Sequence, residues 1–169
     1  MINKDIYYEK GICKMQVFCP FSSPLETAKC LDPKRLNSQI QEAKVILNAI
    51  SQQNFGTGKG LFNHPIVKMY GNNFYYIWLE RYYSCLLEYQ KYIKTKDIFH
   101  LHCSEDFSII CDKCKPLFLT EEFCIQHRRR LYTKDKEYYK QFAEYGESEE
   151  NWYCIGGEIV KYINGKRIE

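Results

Sequence analysis

The sequence lacks long apolar runs and has little excess charge of either sign. No stretch approaches about 18 consecutive apolar residues, which excludes a membrane-spanning helix as the organising element. The first residues, MINKDIYYEKG, contain no apolar core of the secretory-signal kind. The expectation is a soluble, cytoplasmic protein with reduced thiols and no membrane partner. A formal net charge of only +3 over 169 residues excludes nucleic-acid binding by bulk electrostatics, so any such role needs a local basic face. The glycines of SQQNFGTGKGLF are not followed by a Lys-Ser/Thr pair at a helix start, so they are not a phosphate-cradling P-loop. A zinc-deaminase site is excluded by the absence of His-x-Glu upstream of Pro-Cys-x-x-Cys. There is no internal repeat and no low-complexity linker. Residues 1–169 therefore read as one domain, large enough to bury roughly 70% of the surface of its unfolded chain.

What is present is distinctive. Tyrosine reaches 15 and aromatics 16%, beside many Lys, Ile and Asn, the bias that an AT-rich genome gives. The nine cysteines are an odd number. Most of them (Cys13, Cys19, Cys30, Cys85, Cys124, Cys154) sit in apolar or mixed runs, where a small buried hydrophobe is the default.

The pattern predicts a mainly α, compact helical bundle with small β-hairpin elements at the N- and C-termini. Residues 6–19 hold two short β-prone runs around Gly11, and PFSSPLE reads as a loop. A helix from about Pro33 to Ile50 has Asp32 as its N-cap and Pro33 in its first turn. Asn63 is the expected cap of a second helix over about 65–94, apolar nearly all round, with a bend or a new start at Gly71-Asn72-Asn73. Thr120 caps a third helix with acidic residues in its first turn. Asn164-Gly165 suits a type I′ turn in a hairpin over 155–169.

Four constellations bear on chemistry. On the first helix, Leu36, Ile40, Ala43, Leu47 and Ile50 share one arc. Arg35, Gln39 and Glu42, spaced by four and then three, stack along its edge. That edge is either solvated or the rim of a pocket with a carboxylate and orienting neighbours. From Arg128 to Lys140 the local balance is +4, with Tyr132, Tyr138 and Tyr139 interleaved. Such a stretch suits phosphate contacts and base stacking, or is a solvated helix face. Adjacent Arg128, Arg129 and Arg130 point three ways, so at most two meet one partner. His64 and Lys68 in NHPIVKMY are placed to contact phosphate or to cap and pack. Finally His100, His102, Cys103, Cys111 and Cys114 provide soft ligands around one Cys-x-x-Cys, enough for a structural zinc site. No other metal or cofactor is expected, and no metal ligand set is assigned.

Four stretches in this order, MQVFCPF (15–21), LDPKRLNSQIQEAKVIL (31–47), NHPIVKMY (63–70) and HRRRLYTKDKEYYKQF (127–142), resemble the pyrimidine-dimer DNA glycosylase superfamily. The likeness is greatest to its bacterial and phage glycosylase-like branch and covers about residues 15–145. It implies a helical fold whose basic face grips a DNA duplex and flips a nucleotide out, and it fits a viral or phage setting. It also implies amine catalysis. A free amine attacks the anomeric carbon, expels the base and holds a Schiff base that promotes strand cleavage, while a helix carboxylate stabilises the cationic sugar and shuttles protons. Glu42 falls at the position of that carboxylate. Arg35, Gln39, His64, Lys68, His127, Arg128, Lys134 and Tyr138 would line the pocket or contact DNA.

In that family the amine is the chain's own N-terminus, whereas here 14 residues precede Met15-Gln16, where the resemblance begins. A start at Met15 would leave a bulky Gln, which normally prevents Met removal. The nucleophile is thus open between a lysine, water in a monofunctional route, and none. The expected function is a repair-type DNA N-glycosylase, with or without abasic-site lyase activity. The alternatives are a non-catalytic protein that binds DNA or a nucleotide, and a zinc-stabilised interaction module.

Overall fold

A computed structural model of the chain describes residues 15–54, 61–97 and 114–169. The architecture is mainly α. Helices α1 (Pro24–Cys30), α2 (Pro33–Asn54), α3 (Pro65–Gly71), α4 (Tyr76–Thr95) and α5 (Glu121–Lys134) are followed by a 3-10 turn at Lys140–Tyr145 and three strands. These strands, β1 (Asn151–Ile155), β2 (Glu158–Ile163) and β3 (Lys166–Ile168), form an antiparallel sheet in sequence order.

Local chemistry sets most boundaries. Asp32 Oδ1 accepts from the Arg35 N–H at 3.0 Å, which caps α2 as the sequence predicts. Thr120 caps α5 through Phe123 N, with Glu121 and Glu122 in the first turn. Asn164 and Gly165 take φ of 50° and 78°, both positive as a type I′ turn requires. The long second helix is split where Gly71-Asn72-Asn73 suggested. Asn73 and Phe74 adopt φ of 55° and 61° between α3 and α4, where the helical hydrogen-bond ladder cannot continue.

Other expectations are corrected. The cap of α3 is His64 and not Asn63, because the His64 Nδ1 accepts from Ile66 N at 3.1 Å. PFSSPLE is not wholly loop: Ser23 caps α1, with Pro24 at its first position. Residues 15–19 form no helix and join no strand of the sheet, and the rest of the hairpin expected over 6–19 lies outside the described residues.

The core lies between α2 and α4, with α1 and α3 packed against them and α3 resting on β1. Leu36, Ile40, Ala43, Ile46 and Ile50 of α2 are buried, and so are Trp78, Leu79, Tyr82 and Leu86 of α4. Trp78 stacks on Tyr82 at 5.4 Å and lies parallel to Tyr70 at 6.1 Å. Into this core runs the segment 15–20, buried along its whole length.

Candidate active site

A buried stretch of backbone outside any sheet must find partners for its N–H and C=O groups. Segment 15–21 finds them almost entirely in side chains. The Gln39 amide behaves like a neighbouring strand, with Nε2 donating to Gln16 O at 2.9 Å and Oε1 accepting from Phe18 N at 2.7 Å. Tyr82 OH donates to Phe18 O at 2.8 Å, and Tyr153 OH to Met15 O at 2.9 Å. Cys19 N donates to His127 Nδ1 at 2.7 Å, and Arg128 Nε donates to Pro20 O at 2.8 Å. Tyr82 and Tyr153, two of the tyrosines noted in the composition, therefore contribute a ring to the core and a hydroxyl to this segment.

Glu42 stands where this arrangement opens. Its Oε2 accepts from the Gln16 backbone N–H at 3.1 Å and from Gln39 Nε2 at 3.3 Å. Burial pushes the carboxyl up to about 7. The hydrogen bonds from Gln16 and Gln39 and the charge of Lys134 oppose that rise without cancelling it. An acid with such a value holds and releases a proton readily near neutral pH. The expectation that Gln39 lies on the edge of the helix is corrected: it is 1% exposed, and both ends of its amide are used within the chain.

His127 is likewise an interior group. Burial pulls its pKa down to about 3, so the ring is neutral. With Nδ1 accepting from Cys19 N, the proton resides on Nε2, which the Gln16 side-chain amide approaches at 3.2 Å. The amide must present its oxygen to that N–H, and its other end meets no partner among the described residues. His64, pulled down to about 4 by burial, is also neutral and packs edge-on against Tyr153. Lys68 is exposed on α3.

The three adjacent arginines diverge. Arg128 is buried, pairs with Glu121 at 2.7 Å and lies over the rings of Phe21 and Tyr145. Arg129 Nε donates to Tyr145 O at 2.6 Å. Arg130 is different: its Nε is buried without a hydrogen-bond partner, and burial lowers its pKa. One turn later, Lys134 extends its Nζ over the Phe18 ring at 5.7 Å. Partial burial, then the charges of Arg130 and Arg35, lower the Lys134 pKa, while Glu42 raises it. Tyr138 is 46% exposed, edge-on to Tyr139.

Arg35 belongs to a different group at the start of α2. It pairs with Asp32 at 2.7 Å, approaches Asp135 at 3.9 Å and lies over Tyr139. Tyr139 OH donates to Asp32 Oδ2 at 2.6 Å. Burial pushes the Asp32 carboxyl up, but the hydrogen bonds from Tyr139 and Arg35 outweigh it and hold the carboxyl below its ordinary value.

A carboxyl raised to about 7, with Lys134 acting on it through space, is an arrangement able to hold and release a proton near neutral pH. A family model described as pyrimidine dimer DNA glycosylase matches residues 15–91. Over this segment the chain is similar to the pyrimidine-dimer DNA glycosylase family. The match supports a DNA glycosylase-type function on a DNA substrate. No curated protein and no solved structure matches the chain.

The glycosylase match opens at Met15, one residue before the backbone N–H that meets Glu42. It takes in Arg35, Gln39, Glu42, His64 and Lys68. The matched segment ends before His127, Arg128, Lys134 and Tyr138. The structure nevertheless brings His127 and Lys134 to Gln16 and Phe18, beside Glu42. Sequence reasoning did not single out Gln16 and Arg130. An RRR triplet signals that one arginine faces a partner without saying which, and nothing local marks Gln16. Among the described residues no His, Cys, Asp or Glu cluster is suited to a metal ion. Of the zinc candidates only Cys114 is described; His100, His102, Cys103 and Cys111 lie outside the described residues. No described helix is long and apolar enough to cross a membrane.

Proposed function

We propose that the protein is a repair-type DNA N-glycosylase that removes a damaged or modified base, with Glu42 as its catalytic carboxyl. The observation that carries this reading is the Glu42 carboxyl, pushed up to about 7, with the Lys134 cation close enough to act on it. In the carboxylate form it would stabilise positive charge developing on the sugar as the base departs, and it would then take up a proton from the attacking group. Arg130 would contact a backbone phosphate, since its partly desolvated guanidinium lacks a hydrogen-bond partner for Nε among the described residues. Exposed Tyr138 would stack near the opening from which the nucleotide is flipped. Gln39, His127 and Arg128 would act indirectly, by fixing segment 15–21 so that the Gln16 N–H orients Glu42.

The test is base release from a panel of duplexes carrying modified or dimerised bases. Glu42→Gln keeps the shape and the hydrogen-bond acceptor but cannot cycle a proton. It should lose base release by at least about 100-fold, with DNA affinity within a few-fold of the parent. Undiminished activity in that variant would remove Glu42 from the mechanism. Failure of the parent protein on the whole panel would remove the glycosylase itself.

One observation favours a second reading, a non-catalytic protein that binds DNA or a nucleotide. The nitrogen 3.1 Å from Glu42 belongs to the Met15–Gln16 peptide bond, and its delocalised lone pair is not nucleophilic.

A further inference from the structure

If the glycosylase reading holds, Glu42 needs an amine that the Gln16 peptide nitrogen cannot supply. We propose that this amine is Lys134, whose Nζ forms a Schiff base with C1′ of the target deoxyribose. Three observations on the molecule carry this.

The first is position. Lys134 occupies the last turn of α5, with Nζ 5.7 Å above the Phe18 ring. The Phe18 N–H is held by Gln39, and the same Gln39 amide reaches Glu42 at 3.3 Å. Amine and carboxyl thus flank the same short stretch, residues 16–18. The second is freedom. Among the described residues Lys134 has no hydrogen bond, and no carboxylate comes within 4.0 Å of its Nζ. It interacts with Glu42 through space without closing an ion pair. The third is protonation. Partial burial and two guanidinium groups favour the neutral amine, the nucleophilic form. The other lysine near Glu42 in sequence, Lys44, lies about 200° round α2 and is exposed.

The covalent sequence balances with water as the only co-reactant. At an abasic site, neutral Nζ adds to the C1′ aldehyde carbon. The carbinolamine then loses its hydroxyl as water, with Glu42 delivering the proton, and a protonated Schiff base forms. The Glu42 carboxylate left by that step takes a C2′ proton, the C–H electron pair forms the C2′–C3′ double bond, and the C3′–O pair leaves with the 3′ phosphate. Water then hydrolyses the C1′–N bond and frees Lys134. On an intact nucleotide the same attack displaces the base, which departs with the C1′–N bonding pair and takes up a proton. The C1′–O4′ bond then opens, O4′ takes the proton that Nζ loses, and the same protonated Schiff base results.

Borohydride trapping on abasic-site DNA tests this without knowledge of the preferred base, because hydride reduces the Schiff base to a stable secondary amine. The full chain should give a covalent adduct, and peptide mapping of that adduct should place it on Lys134. Lys134→Arg keeps the charge and should reduce trapping and strand cleavage by at least about 100-fold. Lys136→Ala, at an exposed lysine paired with Glu147, should trap at the parental level. An adduct mapped to any other amine overturns the proposal, as does parental trapping in Lys134→Arg. Base release without any trapping overturns Lys134 but leaves the glycosylase standing. Trapping on Lys134 without base release from any duplex supports Lys134 and removes the glycosylase reading. Mapping uses the parent protein, so the outcome does not depend on the variant folding.

Discussion

Two acids ten residues apart, one capping α2 and one within it, meet opposite fates. Asp32 sits among donors: Tyr139 OH, the Arg35 guanidinium and the Arg35 backbone N–H all reach it, and its carboxyl is held below the ordinary value. Glu42 is given only two N–H donors and a cation that does not close on it, so burial prevails and its carboxyl rises to about 7. The difference is in how fully each charge is compensated and not in the type of residue. A fully paired acid serves as structure, whereas an under-paired one keeps a proton that it can move.

The comparison is broken most severely by substituting both acids. Glu42→Gln should abolish base release at little cost to the fold. Asp32→Asn should retain turnover per folded molecule and lose about 1–3 kcal/mol of stability, since a charge-assisted network is weakened. For a chain of this size that is a fall in Tm on the order of 3–10 °C. Calorimetry beside a base-release assay distinguishes the two. Loss of turnover in folded Asp32→Asn would show that the paired cluster takes part in the chemistry after all.

The same contrast recurs between Arg128 and Arg130. Arg128→Ala deprives Pro20 O of its donor and empties the space between Phe21 and Tyr145, so denaturant melts should record a loss of about 2–4 kcal/mol. Arg130→Ala removes a cation whose Nε has no hydrogen-bond partner and should leave stability nearly unchanged. Its effect should appear in DNA binding, as a salt slope smaller by about one. An unchanged slope would take Arg130 off the DNA.

The smallest effect, and the sharpest in sign, is the pH dependence of stability. The Glu42 carboxyl titrates at about 7 folded against 4.5 unfolded, so the native state holds the extra proton and the contribution of Glu42 falls as pH rises from 4.5 to 7. Asp32, held below 3.8, contributes stability above that value and loses it as pH falls through its lowered folded value. Buried His64 and His127, at about 4 and 3, also cost stability as pH falls below 6.5 and partly mask Glu42 in the raw curve. The readable quantity is the difference between the parent and Glu42→Gln. It should grow in favour of the variant by on the order of 1–3 kcal/mol between pH 4.5 and 8. A flat difference would mean that Glu42 is not desolvated.

Much of the fold was legible because its signals act within a turn or two. Asp32, Thr120 and Asn164-Gly165 set their elements through hydrogen bonds and dihedrals spanning three or four residues. The apolar arc on α2 identified Leu36, Ile40, Ala43, Leu47 and Ile50 as core; Leu47 is partly buried and the other four are buried. Asn63 was the wrong cap for α3 because the His64 ring nitrogen fills that role, and single-residue preferences do not separate the two. Of the site, spacing put Glu42 on the flank of α2 but placed Gln39 beside it as though the two were alike.

The sequence by itself determined the helices, their main stops, the closing hairpin and a carboxyl at the edge of α2, since each follows from local backbone chemistry and periodicity. Tertiary structure alone decided what each polar group does. Segment 15–21 is buried outside any sheet, and its backbone takes partners from α2, α4, α5 and β1, most of them more than 20 residues away. Gln39, His127 and Arg128 were consumed in satisfying it. Glu42, Arg130 and Lys134 were left partly desolvated and incompletely paired, which is the physical condition for binding an anion and moving a proton.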